Sequence, residues 1–154
     1  MNKKQKRSAR CLCVQLLYSS ELSGNVTDDD INQIVINFFK NKDEDFDQTV
    51  YKTDEIDYAN KLMTHVINCK ESIDKLINHK LVNWEMHRLA IIDKIILRMC
   101  VAEMLYMKGI PPKVSMAEGI EIAKQFSTND SSSFINGILD AIYNDEKNNI
   151  DKAM

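Results

Sequence analysis

An all-α fold is what these 154 residues predict, and three observations carry the prediction. Apolar residues recur at i, i+3 and i+4 along most of the chain, whereas alternating strand patterns are scarce. Gly occurs only four times and Pro twice, so long helices meet few interruptions. Apolar residues make up 44% of the chain, enough for a core, and the 28% charged fraction fits a soluble surface. The length fits a single domain.

The elements follow in order. Lys4 to Leu22 forms the first helix, with Leu12, Leu16, Leu17 and Tyr18 as its apolar stripe, and Ser23-Gly24-Asn25 ends it. Thr27 or Asp28 caps a second helix, whose apolar face is Ile31, Ile34, Val35 and Phe38. Lys40 to Thr53 reads as an acidic linker, with Phe46, Val50 and Tyr51 as anchors. A third helix runs from Asp54 to Asn68, with Ala59, Leu62, Met63 and Val66 inward, and a short fourth from Glu71 to His79. Asn83-Trp84-Glu85 is a junction. The longest helix, and the most buried, is expected from Met86 to Lys108. Gly109-Ile110-Pro111-Pro112 stops it, and Pro is well tolerated at the start of the sixth helix. That helix runs through Ile122 to Phe126. Asn129 or Asp130 caps a seventh, which carries Phe134, Ile135, Ile138, Leu139 and Ile142. Residues after about Asp145 read as a tail, with 149–154 disordered.

Charge is distributed unevenly. The first ten residues carry five positive charges (Lys3, Lys4, Lys6, Arg7, Arg10) and no negative one, while the whole chain is −3. A basic arm on an acidic body suits phosphate, because Lys and Arg displace counterions from a nucleic-acid backbone. A solvated terminus would carry the same charges, but removing it would change no binding. Helical spacing makes Lys6, Arg7 and Arg10 a cationic stripe. Tyr18, eight residues past Arg10, falls about 80° round from it after two turns and can stack an unpaired base. Basic residues at a helix N-terminus oppose the macrodipole, so these turns are expected to fray until an anion orders them.

No catalytic set is present: there is no P-loop, Rossmann glycine pattern, HExxH or GxSxG. His65, His79 and His87 have no metal-ligand spacing. Cys11, Cys13, Cys69 and Cys100 sit in apolar helical runs and read as buried thiols. No apolar stretch is long enough for a membrane span or a secretory signal, which predicts a cytoplasmic chain. No cofactor, metal or catalytic residue is expected, and a binding module is favoured over an enzyme.

Several segments together resemble one family. A basic first helix passes into Val14-Gln15-Leu16-Leu17-Tyr18-Ser19. Asp93-Lys94-Ile95-Ile96-Leu97-Arg98 and Glu103-Met104-Leu105 follow, then Pro112-Lys113-Val114 and Glu118-Gly119-Ile120-Glu121-Ile122-Ala123-Lys124. Phe134-Ile135-Asn136-Gly137-Ile138-Leu139-Asp140 completes the set. In order, spacing and total length the chain is similar to the NusB family of bacterial transcription antitermination factors. The likeness is weakest from about 25 to 55.

The resemblance implies two packed three-helix subdomains plus an extra helix. They form one RNA-binding domain over 1–148, with halves at about 1–80 and 84–145. It implies binding of boxA single-stranded RNA together with the ribosomal protein NusE. The pair then helps assemble an antitermination complex with other Nus factors on RNA polymerase during ribosomal RNA synthesis. Lys6, Arg7 and Arg10 stand in the family's arginine-rich RNA-binding motif, and Lys3 and Lys4 extend the basic arm before it. Tyr18, Lys113, Asp130 and Phe134 stand at further RNA-side positions, Asp130 as a helix cap. Asp93 stands where the family meets its basic ribosomal partner. Monomers and homodimers both fit the family.

The chain departs from the family pattern in places. Lys6 and Ser8 replace arginines, and lysine lacks the planar guanidinium fork. Cys11 stands where an acidic residue is common. The acidic stretch at 43–57 has no assigned role. Two other function classes fit a NusB-like helical domain. One is the non-catalytic domain of an RNA cytosine methyltransferase, which would need a cofactor domain that 1–154 does not contain. The other is a helical protein–protein module, which leaves the basic arm unexplained.

Overall fold

Every regular element among the described residues of the computed structural model is a helix, as the periodicity predicts. The structure describes residues 1–24, 27–41, 51–82 and 85–153, with the backbone alone at 28, 40, 41 and 151–153. Of the expected linker, 42–50 lie outside these residues, as does the Asn83-Trp84 junction; Lys40 and Asn41 are helical. Two compact units divide the chain, Met1–Ile67 and Asn68–Met154.

In the first unit, α1 spans Lys3–Ser23. Ala9, Leu12, Cys13, Leu16 and Leu17 are buried on it. Its N-terminus is better held than its charges suggest. The Asn2 side chain accepts from the Gln5 backbone N–H at 2.9 Å, and the Asn2 N–H donates to Gln5 Oε1 at 2.8 Å. This reciprocal cap satisfies two otherwise orphaned donors and contributes about 1 kcal/mol. It works against the fraying that the charges alone predict. A second box starts α2, Asp28–Asn41. The Thr27 hydroxyl and N–H each donate to the Asp30 carboxylate at 2.7 Å. These bonds, the hydroxyl's first, hold Asp30 below the usual carboxylate range. The third helix, α3, spans Thr53–Asn68 and is tied to α1 where Ser8 Oγ donates to Glu55 at 3.1 Å. Phe39 packs edge-on to Tyr51, with ring centroids 6.3 Å apart.

The second unit holds α4 (Lys70–Lys80), a 3₁₀ turn (Met86–Arg88), α5 (Ile91–Tyr106), α6 (Pro112–Phe126) and α7 (Asn129–Ala153). All residues from Ile95 to Met104 are buried, so α5 is the central helix that its all-round apolar sequence predicts. Both charges inside that run are partnered. Arg98 donates to both Asp74 oxygens on α4, at 2.8 and 3.0 Å, and Glu103 accepts from Ser115 on α6 at 2.6 Å. Lys80 and Asp145 pair α4 with α7.

Two expectations change. The single helix foreseen over 86–108 is a 3₁₀ turn followed by α5, because Leu89 and Ala90 are extended, with ψ of 145° and 141°. No Gly or Pro marks this break, so apolar periodicity runs straight across it. The break places Asp93 in the first turn of α5, where the helix dipole favours a carboxylate. The tail foreseen after Asp145 continues α7 to Ala153, making α7 rather than α5 the longest helix. Ile150, two turns beyond Ile142, is only 1% exposed. One apolar residue in a polar stretch is too sparse to register as a period.

Glycine sets one of the helix contacts. Gly109, at φ +83°, takes the left-handed turn that ends the α5 segment. Gly119 lets α6 approach α5 closely: a Cβ there would lie 2.4 Å from Cys100 Sγ. Gly119→Ala is therefore expected to destabilise, since overpacking costs about 1–3 kcal/mol and outweighs the gain of about 1 kcal/mol in helix propensity. Gly119→Ala with Cys100→Ala should recover much of the loss in urea denaturation. No recovery would mean that Cys100 is not what Gly119 accommodates.

Candidate nucleic-acid interface

The predicted interface residues divide between the two units. Lys3, Lys4, Lys6, Arg7, Arg10 and Tyr18 lie on α1. Asp93, Lys113, Asp130 and Phe134 lie on α5, α6 and α7.

On α1, burial redraws the cationic stripe. At 100° per residue, Lys4, Arg7, Cys11 and Tyr18 fall within about 60° of one another. Lys3 and Lys4 are exposed, and Lys6, Arg7 and Cys11 are half-buried. Tyr18 is 43% exposed. Arg10 points elsewhere: its side chain is 2% exposed, beside the apolar face that carries Cys13 and Leu17. A phosphate cannot reach a guanidinium buried so deeply, so the displayed group is Lys3, Lys4, Lys6 and Arg7 with Tyr18. Spacing alone cannot see this, because Arg10 lies only about 60° from Arg7 and the edge of the buried face falls between them. Cys11 and Cys69, both half-buried, differ from the buried thiols expected of them, whereas Cys13 and Cys100 are buried.

Tyr18→Ala is expected to leave the melting temperature within about 2 °C, since a surface substitution away from packing usually stays within 0.5 kcal/mol. The same change should weaken single-stranded RNA binding by the 1–3 kcal/mol of one stacked base. A large fall in melting temperature would make Tyr18 a packing residue.

In the second unit, a cleft of about 380 Å³ gathers three of the four predicted residues there: Asp93, Asp130 and Phe134. Its other lining includes Arg88, Leu89 and Ser131. Sequence reasoning passed over Arg88, which carries no motif and becomes notable only once the 3₁₀ turn brings it to the cleft. Phe134 is half-buried and Asp130 is exposed. Asp130 is not the cap of α7. Thr128 takes that role, its hydroxyl accepting from the Ser131 N–H at 3.1 Å. Thr128, Asn129 and Asp130 can all cap, and the Thr128-x-x-Ser131 spacing is the signal that separates them. Asp130 then lies in the first turn, where the dipole favours it.

Asp93 is not a surface charge. It is 8% exposed, and its two oxygens accept from Ser127 Oγ at 2.9 Å and Ser131 Oγ at 3.0 Å. Lys113 lies outside this cleft. It is exposed at the start of α6, on a separate groove of about 530 Å³ with Met116, Tyr143 and Lys147. Among the described residues, no three His, Cys, Asp or Glu side chains gather as metal ligands. No described helix is long and apolar enough to cross a membrane.

Comparison with known proteins places this geometry in a family. The NusB family model matches residues 7–144. Transcription antitermination protein NusB of Chloroherpeton thalassium is 41% identical over 142 residues, covering 92% of this chain and 63% of that relative. The namesake protein of Methylacidiphilum infernorum is 37% identical over 140 residues, 91% of each chain. Among solved structures, T. maritima NusB superposes with a TM-score of 0.74 at 31% identity, over 89% of both chains. A structure of antitermination factors NusB and NusE in complex with dsRNA gives 0.74 at 25% identity, over 93% of this chain and 98% of that one. By sequence along most of its length, and by fold, the chain belongs to the NusB family.

Proposed function

We propose that this chain is a transcription antitermination factor that binds boxA-type single-stranded RNA together with the ribosomal protein NusE. In this reading it catalyses nothing and works in the cytoplasm. It helps other Nus factors assemble on RNA polymerase during ribosomal RNA synthesis. Its two units act as one RNA-binding domain. The observation that carries the reading is the capped N-terminal helix, which displays Lys3, Lys4, Lys6 and Arg7 with Tyr18 on an otherwise acidic chain. Cations supply the phosphate attraction and the tyrosine a stacking face. Relatives named as antitermination proteins, and a similar NusB seen with NusE and RNA, support it. Asp130 and Phe134, on the cleft of the second unit, are read as further RNA contacts, and Lys113 as one more on α6.

The test is fluorescence anisotropy of a labelled boxA-type RNA, with and without purified NusE, at two salt concentrations. Salt-sensitive binding that tightens with NusE supports co-loading. No binding at low salt, even with NusE, would reduce the chain to a protein–protein module.

A further inference from the structure

A buried carboxylate costs free energy unless donors compensate it, and here both oxygens of Asp93 have one. The donors span a junction. Ser127 is the residue that ends α6, and Ser131 lies in the first turn of α7. Asp93 itself stands in the first turn of α5. One carboxylate thus ties the starts of two helices to the end of a third. Two residues beside this brace face the same cleft. Asp130 adjoins Ser131, and Phe134 is three residues on, on the side of α7 that Ser131 occupies.

We propose that Asp93 is a positioning residue for RNA binding, fixing the α6–α7 junction so that Asp130 and Phe134 are presented in a set geometry. The proposal rests on the RNA-binding function inferred above. At 8% exposure, the carboxylate accepts from two hydroxyls within the unit, one on each oxygen. What the brace requires is hydrogen bonding, not charge. Asparagine can supply that by accepting from one serine and donating to the other, with the second hydroxyl turned round.

The variants are Asp93→Asn, Asp93→Ala and the pair Ser127→Ala/Ser131→Ala. Two readouts are taken: amide hydrogen exchange across 127–134, and anisotropy of a labelled boxA-type single-stranded RNA at two salt concentrations. Asp93→Ala and the serine pair should speed exchange across the junction. Both should weaken RNA binding at least about fivefold, the lower end of what one stacked base contributes, with the salt slope unchanged. Asp93→Asn should restore both readouts. Asparagine as damaging as alanine, or a serine pair that leaves exchange unaltered, overturns the brace. Faster exchange with unaltered RNA affinity overturns the positioning role. Failure of the wild-type chain to bind the RNA defeats the proposed function instead, and exchange alone then decides whether the brace exists.

Discussion

Alanine at Lys3, Lys4, Lys6 and Arg7 together is expected to reduce single-stranded RNA binding sharply and to flatten its salt dependence. Each phosphate contact on a single strand contributes about 0.7 to the log–log slope, so four lost contacts remove up to about 3 units. Stability should fall far less than RNA affinity. None of the four is buried, and the cap on α1 is made by Asn2 and Gln5. Arg10→Ala is the informative contrast. Its side chain is buried, so its loss should lower the melting temperature and leave the slope where it was. If Arg10→Ala alone flattened the slope, the guanidinium would have to emerge on binding, and the exposed group described here would be incomplete.

Arg98→Ala is expected to be strongly destabilising. The guanidinium is almost buried in the central helix and grips both oxygens of Asp74 on α4. Removing it leaves a partly buried carboxylate without its counter-charge and opens a hole in α5. Such a loss costs about 3 kcal/mol, at the low end of the usual range because Asp74 keeps some contact with water. In a chain of this size that is a fall of roughly 10 °C in melting temperature. Arg98→Lys should recover only part of it, since an ammonium cannot make the two-pronged contact. A cost below about 1 kcal/mol in urea denaturation would show that apolar packing, not this pair, holds α4 against α5.

The helices were legible because their apolar periodicity is strong, and because Gly109 with the two prolines punctuates the chain. What escaped was held by hydrogen bonds that periodicity does not encode. The break at Leu89-Ala90 is one case, since neither residue disfavours a helix. The caps are another. Asn2-x-x-Gln5 is a readable spacing set among stronger charge signals, and Thr128 stands beside two other residues able to cap α7. The site shows the same division. Residue types at the proposed RNA surface could be read, whereas burial could not. Arg10 and Asp93 are charged residues in suggestive positions, and both turn inward. A helical wheel gives angles around the axis and not where the protein's surface cuts them. Arg88 was missed for the opposite reason, because its place depends on a turn the sequence did not announce.

The reciprocal cap on α1 changes how recognition is apportioned thermodynamically. An arm that had to coil into a helix on meeting RNA would surrender backbone entropy at that moment, about 1–2 kcal/mol for each residue fixed. Because Asn2 and Gln5 close the first turn within the free chain, that ordering belongs to folding instead. In the function proposed above, the encounter with RNA is then the docking of a surface largely ordered beforehand, and more of the electrostatic attraction is retained as affinity. Lysines that would be mediocre ligands on a floppy tail gain from being held in register. Such rigidity offsets part of what the arm gives up by carrying fewer arginines.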